Sequence, residues 1–177
     1  MKNTSDSLLK RVKFTPLTIH DIPIIVSAFE TLGWNKPASL YQQYFEEQLN
    51  GEREVWVAWD NTTFLGYVTL KWHSSYQSFN SQNIPEIHDL NVLPKYRRHG
   101  IASTLLDLAE AKAREKSQDA GLGVGLDPDY GNAQKLYVKR GYVPDGLGIT
   151  SNHETVKWGD RVIVDDDLNL WFIKTLI

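Results

Sequence analysis

The chain has 177 residues, enough to bury a sizeable core in one domain. Its net charge is −3, with 41% hydrophobic and 23% charged residues, which argues against a general nucleic-acid binder with a basic surface. There is no cysteine, so disulfides, thiolate metal sites and a cysteine acyl-enzyme are excluded.

Residues 1–10 are polar and expected to be loose, leaving 11–177 as a single domain. The opening MKNTSDSLLKRVKF has no apolar signal core, and no apolar run is long enough to span a bilayer. The expectation is a cytoplasmic protein without a membrane partner. Val12 to Leu17 predicts a first strand, ended by Pro16. Thr18 and Asp21 have the spacing of a capping box, and Ile22, Ile25, Val26 and Phe29 then line one helical face up to Gly33. A second helix is expected over 36–50, with Leu40 or Tyr41, Tyr44, Phe45 and Gln48 as its stripe. Residues 54–59 and 64–72 read as a hairpin around the turn 60–63, with Trp56, Trp59 and Trp72 packing the sheet. The polar stretch 73–83 reads as a surface loop.

Residues 84–93 predict a central strand. Side chains alternate along a strand, so Glu86, His88, Leu90 and Val92 share one face and Ile87, Asp89 and Asn91 the other, provided no bulge intervenes. Charged groups here are costly to bury alone, which suggests that one polar face opens onto a cleft. Pro94 ends the strand. A helix follows from about His99, with Ile101, Leu105, Leu108, Ala109 and Lys112 at helical spacing. Between them lies Arg97-Arg98-His99-Gly100-Ile101-Ala102. Small residues at 100 and 102 let a ligand approach the backbone, and the first turn of a helix has unpaired N–H groups at its positive end. With two arginines beside it, this is an anion site, most simply for a diphosphate.

Gly121 to Leu126 reads as a short strand. Its three glycines make sense if backbone or ligand passes close by. Asn132 is placed to cap a helix carrying Ala133, Leu136, Tyr137 and Arg140 and ended by Gly141. Residues 143–161 are glycine-rich and polar, with Trp158 as their one large anchor. Asp165-Asp166-Asp167 lacks the spacing of a calcium loop and reads as a solvated turn. Leu168 to Leu176 is a closing strand.

Two of these stretches carry a resemblance. Leu90-x-Val92-x-Pro94 followed by Arg97-x-x-Gly100-x-Ala102 resembles the acyl-CoA pyrophosphate motif of the GNAT N-acetyltransferase superfamily, whose pattern is Arg/Gln-x-x-Gly-x-Gly/Ala. Asn132-Ala133-x-x-Leu136-Tyr137-x-x-x-Gly141-Tyr142 resembles its second motif, one helix and one strand downstream. The order β-α-α-β-β-β-α-β-α-β-β is similar to that family along nearly the whole chain.

The resemblance implies an α/β (α+β) GNAT fold: a mixed, mostly antiparallel sheet with helices on both faces and central parallel strands splayed around acyl-CoA. It implies direct transfer of an acetyl group from acetyl-CoA to a primary amine, with no metal. Arg97, Arg98, His99, Gly100, Ile101, Ala102 and Ser103 would hold the pyrophosphate. Leu90, Asn91 and Val92 would meet the pantetheine through backbone, and Asn132 would contact it or its bound water. Glu86 stands where histone-type members carry their general base. His88, with an ordinary pKa of about 6.5, and Asp89 are the rivals. Tyr137 would lie near the sulfur and protonate it. Trp34, Tyr41, Tyr44 and Phe45 would wall the acceptor site, or else serve as core aromatics. Asp127 or Asp129 would hold a substrate ammonium, as an acidic residue does in aminoglycoside N-acetyltransferases, or else simply form a turn. The acceptor is read as a small cationic amine. The alternatives are a protein or peptide acceptor and a non-catalytic acyl-CoA sensor. The resemblance also allows a homodimer.

Overall fold

The computed structural model describes residues 8–177; the expectation for residues 1–7 lies outside them. Leu8 and Leu9 are half-buried. The strands are β1 (Val12–Pro16), β2 (Arg53–Asp60), β3 (Thr63–Lys71), β4 (Glu86–Val92), β5 (Asp119–Gly125), β6 (Val143–Ser151), β7 (Glu154–Thr155) and β8 (Leu168–Thr175). The helices are α1 (Ile22–Glu30), α2 (Ala38–Leu49), α3 (Gln77–Ser81), α4 (Ile101–Ala113) and α5 (Gly131–Lys139). Among the described residues no helix is long and apolar enough to cross a membrane.

The chain divides into two compact units. The first holds the described residues through Lys71 together with Ile87–Lys112. Here β1 pairs antiparallel with β2, Val12 opposite Asp60, and β2 pairs antiparallel with β3, Arg53 opposite Lys71. Its core is aromatic. The Phe29 ring lies 5.7 Å from Trp34, 5.6 Å from Phe64 and 6.1 Å from Tyr67, in stacked and edge-on pairs. Each such pair contributes about 0.5–1.5 kcal/mol beyond simple burial. Ile22, Ile25 and Phe29 are the buried face of α1, as their spacing predicts, and Gly33 ends the helical segment with φ 70°. Only half of the expected capping box forms: Asp21 Oδ2 accepts from the Thr18 N–H at 2.8 Å, and the helix starts at Ile22.

The second unit holds Trp72–Glu86 and Ala113–Ile177. Glu86, the first residue of β4, pairs parallel with Gly121 of β5. From there β5–β8, β8–β6 and β6–β7 are all antiparallel. The eight strands are thus mixed and mostly antiparallel, as the resemblance implies.

Three expectations fail in this unit. The stretch 73–83 is not a plain surface loop. It contains α3, because its two aromatic residues, Tyr76 and Phe79, are buried against Trp171 with ring centroids at 4.2 Å and 5.5 Å. The stretch 143–161 is largely the β6–β7 hairpin, and Trp158 is fully exposed and anchors nothing. The β5 glycines are explained by neighbouring side chains. A Cβ at Gly121 would sit 2.1 Å from the Phe79 ring, one at Gly125 2.5 Å from Tyr130, and one at Gly123 3.0 Å from Trp171.

Candidate active site

In the first unit, the residues after β4 build an anion cradle. The turn Pro94–Tyr96 reverses the chain, and Arg97 then folds back so that its Nε donates to the Val92 carbonyl at 3.0 Å. Its guanidinium carbon lies 5.9 Å from the Trp34 ring centroid, in the range of a cation–π contact. Arg98 and Gly100 both have left-handed backbone, φ 66° and 84°. Left-handed residues of this kind turn successive N–H groups toward a common point, which favours an anion. At 100 only glycine takes that φ without strain, and a Cβ would also press on Leu9 at 3.1 Å. The helix α4 is fixed by buried Ile101, Leu105, Leu106, Ala109 and Ala113. The Thr104 N–H donates to the Gly100 carbonyl at 3.0 Å, so residues 101–103 form the first turn, where helices lack internal N–H partners. His99 Nδ1 is buried with no hydrogen-bond partner among the described residues. An orphaned imidazole nitrogen, two arginines and a helix N-terminus are a donor set that suits a diphosphate.

Upstream, β4 is kinked. Asp89 has φ 51°, which breaks the strict alternation expected for the strand. The bulge brings backbone close to β3: a Cβ at Gly66 would lie 2.3 Å from the Asn91 carbonyl oxygen. The Asp89 carboxylate is saturated. Oδ1 accepts from Lys36 Nζ at 2.8 Å and from Asn91 Nδ2 at 2.7 Å; Oδ2 accepts from the Tyr44 hydroxyl at 2.9 Å and from the Tyr67 hydroxyl. Burial pushes this carboxyl up, but the Lys36 charge and the hydrogen bonds from Lys36 and Tyr67 outweigh it and hold it below its ordinary value. Conversely, burial and the Asp89 charge push the Tyr44 and Tyr67 phenols up, which keeps both as donors. A carboxylate with four donors on its four lone-pair sites is a poor proton acceptor. Asp89 therefore does not fit the role of general base; it ties the α1–α2 connection to β4. His88, beside it, is half-buried, and its carbonyl accepts from Thr69 Oγ1 at 3.0 Å. Tyr41 is buried in the core, with Tyr67 edge-on at 5.5 Å; this is the core alternative rather than an open wall. Trp34 and Phe45 are half-buried.

In the second unit, Glu86 is 3% exposed. The Ser74 hydroxyl donates to its Oε2 at 2.6 Å and accepts from the Tyr76 N–H at 3.0 Å. Nothing in the run His73-Ser74-Ser75 distinguishes Ser74 in sequence. Tyr137 is buried on α5, with the Tyr142 ring edge-on at 6.0 Å, and the helix ends at Gly141 with φ 88°. Gln134 Nε2 donates to the Gly125 carbonyl at 2.9 Å and ties α5 to β5. Asn132 does not cap α5. The helix begins one residue earlier, at Gly131, and Asn132 is exposed in its first turn. Asp127 caps the short turn Pro128–Tyr130, accepting from the Asp129 N–H at 2.7 Å. Asp129 is exposed, and the Tyr130 hydroxyl donates to Asp166 at 2.7 Å. Among the described residues no group of three His, Asp or Glu side chains is placed to hold a metal ion.

No curated protein matches the chain in sequence. Solved structures do match in fold. A Salmonella typhimurium protein described as an acetyltransferase, with its cofactor acetyl-CoA, is 17% identical at a TM-score of 0.66, over 94% of this chain and 95% of its own. The Brucella melitensis ribosomal-protein-alanine N-acetyltransferase is 20% identical at 0.65, over 93% and 99%. An aminoglycoside 6′-N-acetyltransferase complexed with coenzyme A is 18% identical at 0.65, over 93% and 97%. The model of the acetyltransferase (GNAT) family matches residues 22–142, which include the anion cradle, Glu86 and Tyr137 and make up well over half of the chain. The chain belongs to the GNAT acetyltransferase family.

Proposed function

We propose that the chain transfers an acetyl group from acetyl-CoA to the primary amine of a small cationic acceptor. The observation that carries this reading is the cradle between Arg97 and Ser103, where a pinned arginine, two left-handed backbone positions and the first turn of α4 converge. Arg97, Arg98 and His99 would hold the diphosphate with the N–H groups of 100–103, and Asn132 and the backbone of Leu90 to Val92 would meet the pantetheine arm. Acetyl-CoA, when bound, supplies the acetyl group as a thioester.

An ammonium cannot attack, so a base must first take its proton. Glu86 is the leading base, directly or through a water, because Ser74 fixes its carboxylate and Asp89 is saturated. His88 is the second candidate. Backbone N–H groups of β4 would stabilise the charge that develops on the carbonyl oxygen. Tyr137 gives its phenol proton to the departing sulfur. Asp127 and Asp129 would attract the cationic acceptor. Proteins of similar fold act on both an aminoglycoside and a ribosomal-protein alanine, so the acceptor class rests on these carboxylates and not on the fold.

The test is thiol release from acetyl-CoA with aminoglycosides, polyamines and peptide N-termini. The absence of cysteine keeps the protein from contributing thiol signal. Release with small cationic amines is the expected result. Release with peptides alone would replace the acceptor class, and CoA binding without release to any acceptor would favour the sensor.

A further inference from the structure

Within the second unit, β6 carries a wide bulge opposite Trp171. Pro144 pairs with Phe172 and Ile149 with Leu170, so residues 145–148 stand against the single residue Trp171 of β8. Gly146 and Gly148 both have φ 84°, and nothing lies within 4 Å of either Cβ position. Glycine is needed there for its backbone and not for space. Leu147, between them, is 56% exposed, so the bulge opens to solvent.

Asp145 ties this bulge to the buried aromatic cluster. Its Oδ1 accepts from the Leu147 N–H at 3.0 Å and its Oδ2 from the Tyr76 hydroxyl at 2.8 Å. Burial and that hydrogen bond push the Tyr76 phenol up to about 12, so it remains the donor. The Tyr76 ring lies flat against Trp171 at 4.2 Å. At its other end, the Tyr76 N–H donates to Ser74 Oγ, the hydroxyl that donates to Glu86. One tyrosine therefore spans from the Glu86 carboxylate to the Asp145 carboxylate.

The two differ in what they lack. The half-buried carboxylates of Asp60, Asp89 and Glu47 each meet a cation: Arg11, Lys36 and Arg53. Asp145 is also half-buried, yet it has no cationic partner among the described residues. Its two donors leave room on a carboxylate that has about four lone-pair sites. A carboxylate that is partly desolvated and only partly satisfied favours a cation that can donate to it.

We propose that Asp145 binds a second ammonium of the acceptor, so that the substrate is a diamine whose other nitrogen is acetylated beside Glu86. This rests on the reading of Glu86 as the base and deepens it. Tyr76 sets the separation between the held nitrogen and the reacting one. The held ammonium keeps its protons. The reacting ammonium loses two in all: one passes through Glu86 to solvent, and one makes good the proton that Tyr137 gives to the sulfur. The C–N bond forms as the C–S bond breaks.

The test is thiol release from acetyl-CoA with a series of α,ω-diaminoalkanes and the monoamines of equal chain length. Wild type, Asp145→Asn and Asp145→Glu are compared. Asparagine keeps an oxygen for the Leu147 N–H and an amide N–H for the Tyr76 oxygen, so the bulge stays pinned and only the charge goes. Wild type should prefer the diamine in kcat/KM by about tenfold or more, the scale of one charge-assisted hydrogen bond. Asp145→Asn should abolish that preference by raising KM for the diamine well above any change for the monoamine. Asp145→Glu, which keeps the charge, should recover part of it. A wild type that uses both amines alike overturns the proposal. So does an Asp145→Asn variant that keeps the preference or loses both amines equally, since the role would then be structural. Release with none of these amines ends the proposal together with the small-amine acceptor on which it rests, whereas equal use of both ends the proposal alone.

Discussion

The Lys36 ammonium stands 2.8 Å from Asp89 Oδ1, across a sequence separation of 53 residues. One residue lies between two helices and the other at the kink of a strand. The contact therefore joins the α1–α2 connection, where an acceptor loop is expected, to β4. Asp89→Asn removes the charge but keeps a residue that tolerates left-handed backbone. Lys36, Tyr44 and Tyr67 would then donate to a weaker, half-blocked acceptor. We expect a loss of roughly 2–4 kcal/mol in urea unfolding, the scale of a broken, largely buried ion pair with its hydrogen bonds. A variant of unchanged stability would show that the knot holds nothing.

The same carboxylate sets a pH dependence. Its pKa is lower in the folded chain than in the unfolded one, so it stabilises fully above the unfolded value of about 3.9. That contribution is lost as pH falls through the lower folded value. The difference in urea midpoint between wild type and Asp89→Asn should therefore be constant at neutral pH and shrink below about pH 4. A difference that persists undiminished at pH 2 would contradict the assignment.

Gly121→Ala should destabilise by roughly 1–3 kcal/mol, the usual cost of overpacking, because the new methyl meets the Phe79 ring. Phe79→Leu should cost stability alone yet recover part of the loss in the double variant. A double-mutant cycle with no coupling would refute the contact. Gly131→Ala is the control. Nothing lies within 4 Å of its Cβ position and its φ is −57°, so a gain of about 0.5–1 kcal/mol is expected.

Tyr137→Phe keeps the ring against Tyr142 and removes the phenol hydroxyl. It should lower kcat by roughly 10- to 10⁴-fold. Glu86→Gln should act on the same scale. Unchanged kcat in either variant would strike that residue from the mechanism.

Much of this was legible in the sequence. The stripes of α1 and α4, the β2–β3 hairpin and the order of the two motifs follow from local periodicity and turn residues. The kink at Asp89 was not, because strand alternation shows no reason for an aspartate to turn left-handed; the donors that hold it come from Lys36, Tyr44 and Tyr67, far away in sequence. Nor was α3, since five residues are too few for a helical period to show. Glycines 121, 123 and 125 were visible as an anomaly, but the rings that require them come from other elements. Ser74 gave no signal at all, and its role appears only through Glu86.

The most direct measurement is a calorimetric titration of wild type and Arg97→Ala with CoA and, separately, with pantetheine. The diphosphate would lie in the cradle that Arg97 orders through its hydrogen bond to the Val92 carbonyl. Wild type should bind CoA, Arg97→Ala should bind it at least tenfold more weakly, and pantetheine should bind both proteins equally. A wild type that does not bind CoA, or an Arg97→Ala variant that binds it as tightly as wild type, would contradict the account.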